Sequence, residues 1–193
     1  GFGYRIVYVA PERIGAAARS LCGGVVPLPF VRDPVLASAE LARAVGDAFH
    51  DFPEPLEPLA IDALIEALAR GLVAADPAIR RRRRRLPRDP RALARVRDFL
   101  DAEKTRVVAS AELEQVAGQD RYALARAFRE AYGTSPYRYL LMRRLDGVRD
   151  GILAGRSLAE IALDAGFADQ AHLSRMFKAA FGLSPARFRD AAA

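Results

Sequence analysis

The chain has 193 residues, 51% hydrophobic and 28% charged, the balance of one ordinary globular domain or two small ones rather than of a disordered chain. Thirty basic side chains against 24 acidic ones leave a net charge of +6, and arginine supplies nearly all the positive charge, because only Lys104 and Lys178 are lysines. The single cysteine, Cys22, excludes an internal disulfide framework and a cysteine-built zinc site, the distant His50 and His172 offer little to metal or general-base chemistry, and no apolar run approaches the ~18 residues of a membrane span.

Charge divides the chain. Residues 1–79 hold six basic and ten acidic side chains, residues 80–90 hold seven arginines and Asp89, and residues 91–193 hold 17 basic and 13 acidic. An acidic first part, an arginine-rich linker at 80–90 and a basic second part predict two modules with different partners. The chain opens at Gly1 rather than methionine, as a fragment of a longer protein would, and the missing signal-peptide pattern predicts a cytoplasmic protein.

In chain order, Tyr4 to Ala10 alternate as a strand does and stop at Pro11; a lone strand needs a partner sheet. Helices are predicted over 11–21, 34–51 and 58–75, the second capped by Asp33 with Pro34 at its first position. Leu36, Leu41, Val45, Ala48 and Phe49 form one stripe, and Leu59, Leu64, Leu68 and Leu72 another, widened by Ile61 and Ile65. The 34–51 and 58–75 helices pack either as an intrachain hairpin or as the seam of a homodimer; the sequence leaves both open. Next come Asp76-Pro77 and six consecutive arginines, Arg80, Arg81, Arg82, Arg83, Arg84 and Arg85, ahead of Pro87 and Pro90. Mutual repulsion and proline make this a flexible linker or a frayed helix end, suited to phosphate contact without base specificity, or to no contact at all.

The second part repeats. Leu124-x-Arg126-x-Phe128 and Gly133-Thr-Ser135-Pro136 recur as Leu173-x-Arg175-x-Phe177 and Gly182-Leu-Ser184-Pro185, 49 positions later, whereas Gly118 and Gly166 stand 48 apart. One residue is therefore inserted in the second turn. Each copy reads as a short helix (110–117 or 158–165) stopped by glycine, then a turn, then a second helix capped by Asp120 or Asp169 and stopped by Gly133 or Gly182. That is a helix-turn-helix, whose second helix enters the DNA major groove. Stepping about 100° per residue buries Leu124, Ala127, Phe128, Ala131 and Tyr132 in one copy and Leu173, Met176, Phe177, Ala180 and Phe181 in the other. Tyr122, Ala125, Arg126 and Arg129, and in the second copy Ala171, Ser174, Arg175 and Lys178, turn outward. Arginine bonds guanine in a bidentate fork and alanine can touch a thymine methyl. The plainer reading makes these ordinary solvated faces. A connecting helix over 135–154, about 30 Å long at 1.5 Å per residue, is close to one ~34 Å turn of duplex and would set two recognition helices in successive grooves; Gly147 and Gly151 weaken it.

These motifs, with Arg143-Arg144-Leu145, Ser157-Leu-Ala-Glu-Ile-Ala, Ala165-Gly166-Phe167 and His172-Leu173-Ser174-Arg175-Met176-Phe177-Lys178, resemble the AraC/XylS family of bacterial transcription regulators over residues 91–193. The resemblance implies a mainly α fold, seven helices in two subdomains carrying a duplicated helix-turn-helix, which a helical hairpin and a remnant β-strand precede. It implies base contacts from Tyr122, Ala125 and Arg126 in the first recognition helix and from Gln170, Ala171, His172 and Arg175 in the second. Arg121, Arg129, Ser174 and Lys178 join Arg80 to Arg85 as backbone candidates. Double-stranded promoter or operator DNA is the implied partner, with RNA polymerase a further one; no cofactor, metal or membrane is expected. Residues 1–79 look, less specifically, like the end of a sensing half with a cupin-like barrel, most of which is missing, so no effector pocket can be assembled from this chain. The competing functions are a non-specific nucleic-acid binder run by the arginine stretch and an enzyme built on Cys22, or on His50 with Asp51.

Overall fold

A computed structural model describes residues 6–31, 35, 37–49, 56–80 and 89–192. Among them eleven helices occur and no strand: α1 (Pro11–Cys22), α2 (Ala39–Ala48), α3 (Pro58–Ala75), α4 (Pro77–Arg80), α5 (Pro90–Ala102), α6 (Ser110–Ala117), α7 (Arg121–Tyr132), α8 (Pro136–Leu153), α9 (Leu158–Asp164), α10 (Gln170–Phe181) and α11 (Pro185–Ala192). Six of the eleven begin with proline, whose fixed φ suits a first helical turn and whose missing N–H costs nothing there.

The expected strand is the first departure. Ile6 to Ala10 have no regular structure, because alternation alone cannot hold a strand that has no partner to pair with. The helix expected over 34–51 is shorter: α2 starts at Ala39, where the Ser38 hydroxyl accepts a bond from the Leu41 N–H at 3.2 Å, and the Asp33 cap lies outside the described residues. So do His50, Asp51 and residues 81–88, which hold Arg81 to Arg85; Arg80 closes α4. Cys22 is buried in the core of α1 and α3, not presented as an exposed thiol.

Three cores order the chain. The first joins α1 to α3 through Ile14, Ala17, Ala18, Leu21, Ile65, Ala69 and Val73. The second joins α5, α6, α7 and the start of α8 around Val96, Leu100, Leu113, Leu124, Phe128 and Leu140, and takes in Leu59 of α3. The third joins the rest of α8 to α9, α10 and α11 around Leu145, Val148, Ile152, Ile161, Leu173 and Phe177. From Pro90 onward there are thus seven helices on two cores, threaded by α8, whose 18 residues span about 27 Å. Gly151 is not a weakness in that rod. A Cβ there would stand 2.9 Å from Ile161, so the glycine is the notch that lets α9 lie against α8.

Helix α3 is the hub. It packs on α1, α2, α7 and α8, and every residue from Leu59 to Val73 is at least partly buried. Its wide apolar girdle packs largely within the chain, against α1, α2, α7 and α8.

Candidate nucleic-acid interface

Both repeats fold as the sequence predicts. In the first, α6 stops at Gly118 in the left-handed region (φ 67°), and the Asp120 carboxylate accepts from the N–H groups of Tyr122 and Ala123 at 3.1 Å to start α7, which stops at Gly133 (φ 73°). In the second, the Ser157 hydroxyl caps α9, Gly166 (φ 77°) makes the turn, Asp169 accepts from the His172 N–H at 2.7 Å, and α10 stops at Gly182 (φ 78°). That backbone bond holds the Asp169 carboxyl below its ordinary range, as suits a cap that must stay ionised. Gly166 is doubly constrained: any side chain there would meet the Thr105 carbonyl oxygen at 2.7 Å.

The predicted inner faces are inside. Leu124, Ala127, Phe128, Leu173, Met176 and Phe177 are buried, Tyr132, Ala180 and Phe181 partly so, and only Ala131 is instead exposed. The outer face of α10 divides. Gln170, Ala171 and Lys178 are exposed, and Ser174 and Arg175 are half-buried. His172 departs from the expectation that it reaches bases. It is 8% exposed, its ring stands edge-on to Phe167 at 5.3 Å, and its Nδ1 lies 3.5 Å from the Ala168 N–H, so it closes the turn from inside.

The outer face of α7 turns away from its own core, as predicted, but α1 and α3 cover much of it, leaving Arg121, Arg126 and Arg129 half-buried. Tyr122 is 7% and Ala125 6% exposed. Tyr122 belongs to the core of α1 and α3, and burial, followed by the charge of Asp62, raises its phenol's pKa. Arg121 meets Asp62 at 3.2 Å and Glu114 of α6 at 2.8 Å. The Arg126 guanidinium donates to the carbonyl oxygens of Leu21 at 2.8 Å and Ser20 at 3.3 Å, in the last turn of α1. Arg129 meets the fully buried Glu66 at 2.5 Å, and Arg70 lies 3.4 Å from the same carboxylate. Two acids four residues apart on a helix otherwise made mostly of leucine, isoleucine and alanine were the signal in the sequence for this cover.

A second group escaped sequence reasoning. Arg144, 2% exposed, donates to Glu57 at 2.5 Å, to the Lys104 carbonyl at 2.8 Å and to the Arg106 carbonyl at 2.7 Å, and so ties the start of α3 and the α5–α6 loop to α8. A cavity of about 380 Å³ also opens between α2 and α3 on one side and α7, α8 and α10 on the other, lined by Arg43, Arg70, Arg129 and Arg138 above Leu64, Leu141 and Met176. Helices surround it; it is not the interior of a barrel.

Two stacked helix-turn-helix units on one connecting helix define the class of protein. Residues 113–191 match a family described as a helix-turn-helix domain. The transcriptional activator NphR of a Rhodococcus species is 32% identical over 131 residues, which are 67% of this chain and 37% of that protein. The XylDLEGF operon transcriptional activator of Pseudomonas putida is 30% identical over 95 residues, 47% of this chain and 30% of that protein. The chain thus spans about a third of the length of these curated relatives. The C-terminal domain of AraT, a response regulator from Geobacillus stearothermophilus, shares the fold at a TM-score of 0.50 and 22% identity, over 53% of this chain and 86% of that one. The second half of the chain carries a helix-turn-helix domain that resembles the AraC/XylS type, and the curated proteins it matches are transcriptional activators.

Proposed function

We propose that the chain is a sequence-specific, DNA-binding transcription regulator. One observation carries this reading: α10, the second helix of the second repeat, presents exposed Gln170, Ala171 and Lys178 beside half-buried Ser174 and Arg175 on the side facing away from its core. Arg175 and Gln170 read base edges near the helix start, Ala171 meets a methyl group, and Ser174 and Lys178 grip phosphate. His172 stays in the turn. Helix α7 is the second reading head for the adjoining groove, with Tyr122, Ala125 and Arg126 toward the bases and Arg121 and Arg129 toward the backbone, on a face that α1 and α3 cover in this structure. The Arg80–Arg85 run adds affinity without preference. The names of the relatives point to activation at promoters.

Selection of binding sites from random duplex DNA at about 150 mM salt tests the reading. Enrichment of a motif that Arg175→Ala relaxes at one base position supports it. Binding without enrichment transfers the role to the arginine run, and absence of binding overturns the reading.

A further inference from the structure

Helix α7 meets the first part of the chain through opposite charge at two ion pairs, Arg121 with Asp62 and Arg129 with Glu66, and the proposed reading depends on it. Its outward arginines are all occupied. Asp62 takes Arg121, Glu66 takes Arg129, and two carbonyl oxygens at the carboxy-terminal end of α1 take Arg126. Those carbonyls lie at the negative end of a helix dipole. Each guanidinium therefore has the kind of partner that a phosphate or a base edge would be, an anionic or carbonyl oxygen in hydrogen-bonding range. The apolar contacts are used as well. Tyr122 is packed into the core of α1 and α3, and Ala125 is buried nearby, in a crevice that it shares with Leu59, Asp62 and Ala63. No duplex can reach this face while α1 and α3 lie on it. The matching helix α10 carries no such cover: Gln170, Ala171 and Lys178 are exposed.

We propose that α1 and α3 form an intramolecular competitor of DNA, an acidic surface that occupies the reading face of α7 in place of the duplex, so that the chain as folded reads through α10 alone and gains its second reading head only when these helices leave. This rests on the DNA-binding reading above. It assigns the face of α7 two mutually exclusive occupants, the acidic helices and double-stranded DNA. Affinity for a two-motif site is then reduced by the fraction of chains that are open at any moment. Asp62 is the residue most committed to the closed form, because it holds Arg13 of α1 at 3.1 Å while it holds Arg121 of α7 at 3.2 Å.

A reversible lock tests the competition in the full chain. Asp62→Cys and Arg121→Cys, in a Cys22→Ala background, place two thiols where a side-chain contact now exists, and a short reducible bis-thiol linker joins α3 to α7. Site selection is run on the linked chain and on the same chain after reduction. The linked chain is expected to enrich one motif and the reduced chain two unlike motifs about one helical turn apart, with affinity for the two-motif duplex rising about 5-fold or more on reduction. Asp62→Asn, without any linker, is expected to tighten binding to the two-motif duplex and to leave a one-motif duplex unaffected. Equal enrichment of two motifs by the linked and reduced chains overturns the competition and keeps the DNA-binding reading. A single motif in both states also overturns it, because a released α7 then reads nothing. Enrichment of no motif in either state overturns both proposals.

Discussion

Single residues set the turns that aim the helices, and two of them make sharp tests. Gly166 combines a left-handed backbone with a carbonyl 2.7 Å from where its Cβ would be. Gly166→Ala is expected to cost about 2 kcal/mol or more in denaturant unfolding, above the ~1–2 kcal/mol of a left-handed residue alone, because Thr105 must also move. At Gly118 the φ is equally positive but the space is open, so Gly118→Ala should cost less. Glu112 tests the electrostatics. It accepts from Arg106 and from the Ala109 N–H, which together bring its pKa from 4.5 to about 2. A carboxylate depressed on folding adds stability above its unfolded pKa and loses it as pH falls towards the folded one. Glu112→Gln should therefore flatten the loss of thermal stability between about pH 4.5 and 2, and a carboxyl titration followed by NMR should place the Glu112 midpoint near the lower limit.

At the scale of elements, helix boundaries were the most legible feature of the sequence. The extents of α3 and α6, the caps at Asp120 and Asp169 and the stops at Gly133 and Gly182 follow from local chemistry, since capping and helix stops involve residues only a few positions apart. The helical wheel was also right about which faces turn away from their own cores. It had no means of showing what lies over such a face: Arg121 and Asp62 are 59 positions apart, and Arg126 and Leu21 are 105 apart. His172 eluded the reading for a more local reason. Its base contact was implied by the family resemblance alone, and its ring, in the first turn of α10, faces Phe167 in the turn that carries the inserted residue, to which helical stepping does not extend. For α10, Lys178→Ala should weaken binding to every sequence alike and lower the salt slope by about one, whereas Arg175→Ala should cost ~1–3 kcal/mol and relax one position. Equal losses on specific and random duplexes for both variants would remove Arg175 from the reading face.

Across the whole molecule, Arg144 is the tie between the two parts. Its guanidinium joins Glu57, at the start of α3, to two carbonyls of the α5–α6 loop. Arg144→Ala would leave Glu57 without its cation and three acceptors without a donor, and is expected to lower unfolding free energy by ~3–5 kcal/mol. Arg144→Met combined with Glu57→Gln should recover much of that loss, since a pair removed together leaves no orphaned charge. A double variant no more stable than Arg144→Ala would mean that the backbone acceptors, not the ion pair, set the cost. Such long-range ties are why the junction of the two parts could not be read from charge segregation: net charge shows that an acidic and a basic part attract, not which faces meet.

The three occupied arginines of α7 have a consequence for how ionic strength acts on this protein. Salt screens the pairs of Arg121 with Asp62 and of Arg129 with Glu66, and it also weakens each arginine's hold on a phosphate. The two effects oppose one another. Added electrolyte loosens the internal rival while it weakens the duplex, so affinity should fall with salt less steeply than the number of phosphates touched would require. A phosphate count taken from that gradient would be too small, and the shortfall, compared between the linked and the reduced chain, measures how much of the electrostatic attraction of α7 is already satisfied within the fold.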